Sequence, residues 1–200
     1  MNKISIHNLF PTPVGEFCYD KDISKFREIC QTYEPQEGGS GNRYATHDVL
    51  SYPDFKDLRG WIDDSIAKYY KEVFNPIDYD DQEIYITESW VNYCNSNESH
   101  AYHKHVNSLI SGVFYLEGND AIEFKSPKPY NQIEPEVDSF NEYNADTWWL
   151  PARAAMLYLW PSWLVHGVPT ADREEERISV AFNVFVKGTV SGRVSTQLVL

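Results

Sequence analysis

Residues 99–118, SHAYHKHVNSLISGVFYLEG, place His100, His103 and His105 within six positions and then run into an apolar segment rich in β-branched and aromatic residues. That segment reads as a strand. In an extended chain, residues i and i+2 face the same side, so His103 and His105 are read as two imidazoles aimed into one cavity, with His100 turned away from it. H-x-H at a strand edge is a geometry for two facial metal ligands. Taken alone, such a pair is more often two solvated or hydrogen-bonded polar groups than a metal site.

Working outward, the second half of the chain holds further short runs of the same character: EIYITESWVNYC, AIEFKSP, TWWLPARAAMLYLWP, LVHGVP and RISVAFNVFVKG. Gly, Pro, Asn and Asp separate them, a spacing that predicts a sandwich or barrel rather than a doubly wound parallel sheet. The first half is different. DFKDLRGWIDDSIAKYYKEVF carries Phe55, Leu58, Ile62, Ile66, Tyr69 and Val73 every three or four residues, which predicts a helix packed on the back of a sheet. KDISKFREICQTY, with Ile23, Phe26, Ile29 and Cys30, predicts a shorter helix. ISIHNLFPTPVGEF, broken by Pro11 and Pro13, suits an edge strand or extended arm. EPQEGGSGNRYATHDVLSYP reads as a glycine-rich loop bordering a site. One domain spanning 1–200 is expected, with the arm and helices in 1–80 and a β core in 83–190.

Two hundred residues carry a formal net charge of −13, which argues against nucleic acid as a partner, because phosphate binding needs clustered Lys and Arg. No stretch approaches the length of a membrane span, and the N-terminus lacks the apolar region of a signal peptide. Cys18, Cys30 and Cys94 are odd in number and lack paired spacing, so they are read as free thiols. These features together predict a cytoplasmic protein with no membrane or nucleic-acid partner, and leave the oligomeric state open. The terminal VSTQLVL either pairs at a sheet edge or tucks beneath the barrel.

The second decisive stretch is YLWPSWLVHGVPTADREEERISVAFNVFV, residues 158–186. His166 sits between apolar residues and a Gly-Val-Pro turn, a poor place for a solvated imidazole. Arg177 opens an apolar strand and shares a face with Ser179. An arginine there either lies at the rim or pairs with a buried anion. The preceding DREEER is read as a solvated turn with Arg173 exposed.

LFPTPVG, HKHVNSLISGVFYLEG and LWPSWLVHGVPTADREEERISVAFN, in this order, resemble the 2-oxoglutarate and Fe(II) dependent oxygenases, in particular an oxygenase group abundant in bacteria and marine phages. The resemblance implies a mainly β fold with N-terminal helices (α+β), a double-stranded β-helix, that is, a cupin-like jelly roll, with the helices packed on one sheet. It implies His103 and His166 as iron ligands and puts His105 where most of the superfamily has a carboxylate. Arg177 falls at the position that holds the remote carboxylate of 2-oxoglutarate, with Ser179 beside it. Asn183 and Asn92 are weaker candidates for the cofactor pocket.

The implied cofactors are Fe(II) and 2-oxoglutarate, and the implied activity is hydroxylation of an aliphatic C–H, on a protein side chain such as proline or on a small molecule, with O2 consumed and succinate and CO2 released. No catalytic group beyond the ligands is implied. Three side-chain ligands would leave three iron positions for a 2-oxo acid chelate and O2, while arginine suits a carboxylate through its planar fork. Because position 105 still offers a nitrogen, halogenation is disfavoured.

Alternatives stay open. His105 and Asn107 form a second possible i, i+2 pair, and Glu123 is a candidate carboxylate. Among Trp148, Trp149, Tyr158, Trp160 and Trp163, which core packing also explains, Trp163 is the candidate pocket wall. Arg43, Tyr44 and His47 are candidate lid residues. A three-histidine cupin-type dioxygenase independent of 2-oxoglutarate would have no evident use for Arg177, and a non-catalytic jelly-roll binding module no evident need for all four positions.

Overall fold

The computed structural model describes residues 4–39, 41–76, 82–128, 135–190 and 198–200. Eleven strands form two antiparallel sheets: β1 (Gly15–Cys18), β2 (Gln36–Glu37), β3 (Arg43–His47), β4 (Gln82–Cys94), β5 (His100–His103), β6 (Ile110–Glu117), β7 (Ala121–Lys125), β8 (Thr147–Pro151), β9 (Met156–Pro161), β10 (His166–Val168) and β11 (Arg177–Gly188). The larger sheet has the order β1-β9-β6-β11-β4-β3-β2 and the smaller β5-β10-β7-β8. This is the expected double-stranded β-helix with helices on one sheet.

The period-2 alternation of β11 divides two cores. Ile178, Val180, Phe182 and Val184 point to one face and are buried with Phe55, Leu58, Ile62, Ile66 and Tyr69. Those residues come from α2 (Lys56–Phe74) and the turn just before it, as the helical periodicity predicts. The shorter α1 (Ser24–Gln31) adds Phe26 and Cys30. Arg177, Ser179, Ala181 and Asn183 take the other face, toward the smaller sheet. A second apolar cluster, including Tyr115, Ile122, Phe124, Tyr158 and Trp160, fills part of that space.

Several expectations are corrected. The glycine-rich stretch expected as a loop contains β2 and β3, which extend the larger sheet beyond β4. The LFPTPVG arm becomes a strand only at Gly15, where β1 pairs with β9. Of VSTQLVL, residues 194–197 lie outside the described residues. Leu198 and Leu200 are half exposed rather than tucked beneath the barrel, and Val199 bridges back to Thr189 of the same chain. Cys18, Cys30 and Cys94 are free. No helix among the described residues is long and apolar enough to cross a membrane.

Candidate metal and carboxylate site

The antiparallel register sets His103 of β5 directly opposite His166 of β10. Their rings lie 4.5 Å apart between centroids. His105 lies beyond the end of β5, so the strand rule that predicted its direction does not apply to it. Its backbone N–H donates to the Ser162 carbonyl at 3.0 Å, which holds it beside the cluster. Its ring stands 5.0 Å from His103 and 5.2 Å from His166. One ring nitrogen from each of the three falls within 4.8 Å of the others. Among the described residues this is the one such group.

Hydrogen bonds orient two of these rings in the same sense. His103 Nδ1 lies 2.7 Å from the Ala101 carbonyl and His166 Nδ1 lies 2.9 Å from that of Leu164. A carbonyl only accepts, so each Nδ1 carries the proton and each Nε2 keeps a free lone pair, the arrangement of a metal-binding imidazole. His105 is held differently. Its Nδ1 is 3.2 Å from Asn183 Nδ2, which also donates to Glu88 Oε1 at 2.7 Å, while Ser111 donates to Asn183 Oδ1 at 2.9 Å. A neutral His105 that accepts at Nδ1 carries its proton on Nε2, so its ligation requires that this proton leave or that the Asn183 amide turn over.

Burial pushes the pKa of His166 down to about 3 and that of His105 to about 4. Both are therefore neutral near pH 7 and available as ligands. The donor set fits a borderline divalent ion such as Fe(II).

His100 does not turn away. It stacks on His103 at 4.3 Å and lines the same cavity, and burial lowers its pKa to about 3. The reason is local: between His166↔His103 and Val168↔His100 two residue steps along β10 span three along β5, so the register shifts and the alternation is broken. Glu123 is not in the cluster. Its carboxylate accepts from the Tyr102 hydroxyl.

Arg177 and Ser179 line the cavity that the histidines share. Both are buried, at 4% and 3% exposure. Arg177 Nη1 donates to Asp120 and to the Ala121 carbonyl, and Nη2 donates to the Tyr115 hydroxyl at 3.1 Å. Burial opposes the guanidinium's charge, but Tyr115 and Asp120 outweigh it and its pKa is raised. Its Nε, one Nη2 hydrogen and the Ser179 hydroxyl have no protein partner among the described residues. Open donors on a buried arginine and an adjacent hydroxyl fit a carboxylate.

The sequence did not single out Tyr115, although Ser179↔Tyr115 register pairing puts it on the same face. Burial raises its pKa to about 12, so its hydroxyl stays protonated. Asn92 Oδ1 accepts from Asn42 Nδ2 at 3.0 Å and from Trp90 Nε1 at 3.2 Å, forming a polar wall of the cavity.

The other candidates lie elsewhere. Trp163 is 53% exposed and is not in the cavity wall; Trp160, packed edge-on to His166 at 4.7 Å, is. Trp148 and Trp149 are also exposed, whereas Tyr158 is core. Arg43 is tied to Glu98 and Glu176 in β3, and Tyr44 packs near His47, which places these three in a sheet rather than in a lid. Arg173, expected exposed, is buried because Asp120 and four backbone carbonyls take its donors.

The fold and the imidazole cluster define a double-stranded β-helix with a metal-binding geometry on its inner face. Residues 88–183, from β4 to β11, match the family model described as "Putative 2OG-Fe(II) oxygenase". Over that stretch the chain is similar to the 2-oxoglutarate/Fe(II) oxygenases. No curated protein matches the sequence.

Solved structures share the fold at low identity. The 2-oxoglutarate dependent epimerase SnoN of nogalamycin biosynthesis aligns with a TM-score of 0.61 at 12% identity, covering 88% of this chain and 81% of its own. A prolyl-4-hydroxylase from Pseudomonas putida aligns at 0.58 and 13%, covering 86% and 92%. HygX from Streptomyces hygroscopicus, with nickel and 2-oxoglutarate bound, aligns at 0.60 and 13%, covering 86% and 82%.

Proposed function

We propose that the enzyme uses Fe(II) and 2-oxoglutarate to hydroxylate an aliphatic C–H of a protein side chain, such as proline, or of a small molecule, releasing succinate and CO2. The observation that carries this reading is the convergence, on one cavity, of an imidazole cluster and a buried arginine with open donors. His103, His105 and His166 would hold the metal. Arg177 and Ser179 would take the remote carboxylate, Tyr115 would orient the guanidinium, and Asn183 and Asn92 would line the pocket. Bound there, iron with 2-oxoglutarate supplies the O2-dependent oxidation of an unactivated C–H bond. The fold of the Pseudomonas putida prolyl-4-hydroxylase and of HygX, a protein crystallised with 2-oxoglutarate, supports the reading.

The chain's own contribution is positional. The backbone carbonyls of Ala101 and Leu164 fix two rings, burial keeps His105 and His166 neutral, and the apolar wall of Phe124 and Trp160 beside His166 excludes water. A three-histidine dioxygenase independent of 2-oxoglutarate leaves the open donors of Arg177 without a use.

The test is anaerobic titration of the Fe(II) protein with 2-oxoglutarate, monitored by the weak visible band of the chelate. A saturable band in the wild type that is lost in Arg177→Ala is expected. No band, or one undiminished in the variant, refutes the cofactor assignment. Succinate release over a panel of peptides and small molecules then identifies the substrate class.

A further inference from the structure

Behind Arg177 lies an ion triad that the sequence does not announce. Asp120, in the turn between β6 and β7, sits between Arg173 and Arg177, and the three side chains are 7%, 1% and 4% exposed. Asp120 Oδ2 lies 2.6 Å from Arg173 Nη2 and 3.2 Å from Arg177 Nη1. The two arginines are not equivalent. Arg173 Nε donates to Asp120, and its Nη groups donate to the carbonyls of Asn95, Glu98 and Pro169, so its donor capacity is spent. Arg177 shares the same carboxylate but keeps an open edge toward the cavity.

We propose that Asp120 is a built-in counter-ion that sets how tightly the pocket holds the remote carboxylate of its 2-oxo acid. The proposal rests on the reading of Arg177 given above. A guanidinium buried this deeply needs an anion at all times. In the free protein Asp120 provides it. An incoming carboxylate therefore meets two guanidiniums and one carboxylate, a net charge of +1, rather than two uncompensated cations. Arg173 draws Asp120 toward itself, at 2.6 against 3.2 Å, and so leaves Arg177 partly unsatisfied. Affinity is the balance of Asp120 repelling the ligand and Arg173 restraining Asp120.

This balance predicts opposite signs for two substitutions. Asp120→Asn keeps shape and an acceptor oxygen but removes the repelling charge, so 2-oxoglutarate should bind about ten-fold more tightly. Arg173→Gln releases Asp120 onto Arg177, so 2-oxoglutarate should bind about ten-fold more weakly. Pyruvate has the same 2-oxo acid chelate but no remote carboxylate, and its affinity should not change in either variant.

The experiment is anaerobic titration of wild type, Asp120→Asn and Arg173→Gln, each loaded with Fe(II), with 2-oxoglutarate and with pyruvate. Dissociation constants are read from the chelate band. Tighter 2-oxoglutarate in Asp120→Asn at unchanged pyruvate affinity supports the counter-ion role. Equal or weaker 2-oxoglutarate in that variant, or a parallel change for pyruvate, overturns it and leaves the triad a scaffold. If Asp120→Asn does not fold, Arg173→Gln decides alone, and unchanged or tighter binding there overturns the proposal. A wild type that binds no 2-oxoglutarate refutes the cofactor assignment itself, a result distinct from failure of the variants.

Discussion

His103 and His166 are register partners across β5 and β10, with rings 4.5 Å apart and each Nδ1 bonded to a carbonyl two residues earlier in its own strand or turn. Two imidazoles are thus preset, with Nε2 free, before any metal arrives. His103→Ala and His166→Ala should each weaken Fe(II) binding at least a hundred-fold, measured by competition with a chromophoric chelator. His105→Ala should also abolish tight binding. If iron is retained there and lost only in the other two variants, the centre has two protein ligands, and His105 acts on them from outside.

Arg177→Lys keeps the charge but loses the planar fork and the bond to Tyr115, so 2-oxoglutarate affinity should fall about ten-fold or more. Ser179→Ala removes one hydroxyl donor, about 1 kcal/mol, and should cost several-fold. Both are read from the chelate band at fixed Fe(II). A Ser179 variant more damaging than Arg177→Lys would reverse their assigned weights.

Periodicity made the layers legible. The three-to-four spacing from Phe55 to Val73 marks the helix, and alternation in RISVAFNVFV separates the helix-backed core from the inner face that carries Arg177 and Ser179. His103, His105 and His166 also come together as the sequence suggests. What the sequence concealed depends on contacts distant along the chain. Arg173 sits in a string of charged residues and reads as solvated, yet Asp120, 53 positions away, buries it. His100 reads as outward by alternation, but the shifted register of β5 against β10 returns it to the cavity. β2 and β3 hide in glycine-rich sequence because an edge strand gains its order from its neighbour, here β4, rather than from its own side chains.

Gly112 of β6 has no room for a side chain. A Cβ there would stand 2.3 Å from Phe182 Cζ and 2.7 Å from Leu159 Cδ2, both in the helix-backed core. Gly112→Ala should therefore destabilise the fold by about 1–3 kcal/mol, lowering Tm by about 2–12 °C for a chain of this size. Thermal unfolding followed by circular dichroism measures it. An unchanged Tm would mean that Phe182 can swing aside at no cost.

Acid should unfold the metal-free protein through its histidines. Burial lowers the pKa of His100 and His166 to about 3 and of His105 to about 4. In the unfolded chain all three titrate near 6.5. Between those values the unfolded state binds more protons than the native state, so stability rises with pH in that window and is lost as pH falls from about 6.5 toward 4. Above 6.5 these groups are neutral in both states and contribute no slope. Metal loading of the folded protein should persist through that window and decline only near pH 4 and below, where His105 and then His166 take up protons and lose the lone pair they offer. Urea unfolding of metal-free protein at pH 7.5, 6.5, 5.5 and 4.5 would trace the curve. His100→Gln removes one of the three titrations and should flatten the slope below pH 6.5 without altering it above. A slope that His100→Gln leaves unchanged would mean that carboxylates, not the buried imidazoles, drive acid unfolding.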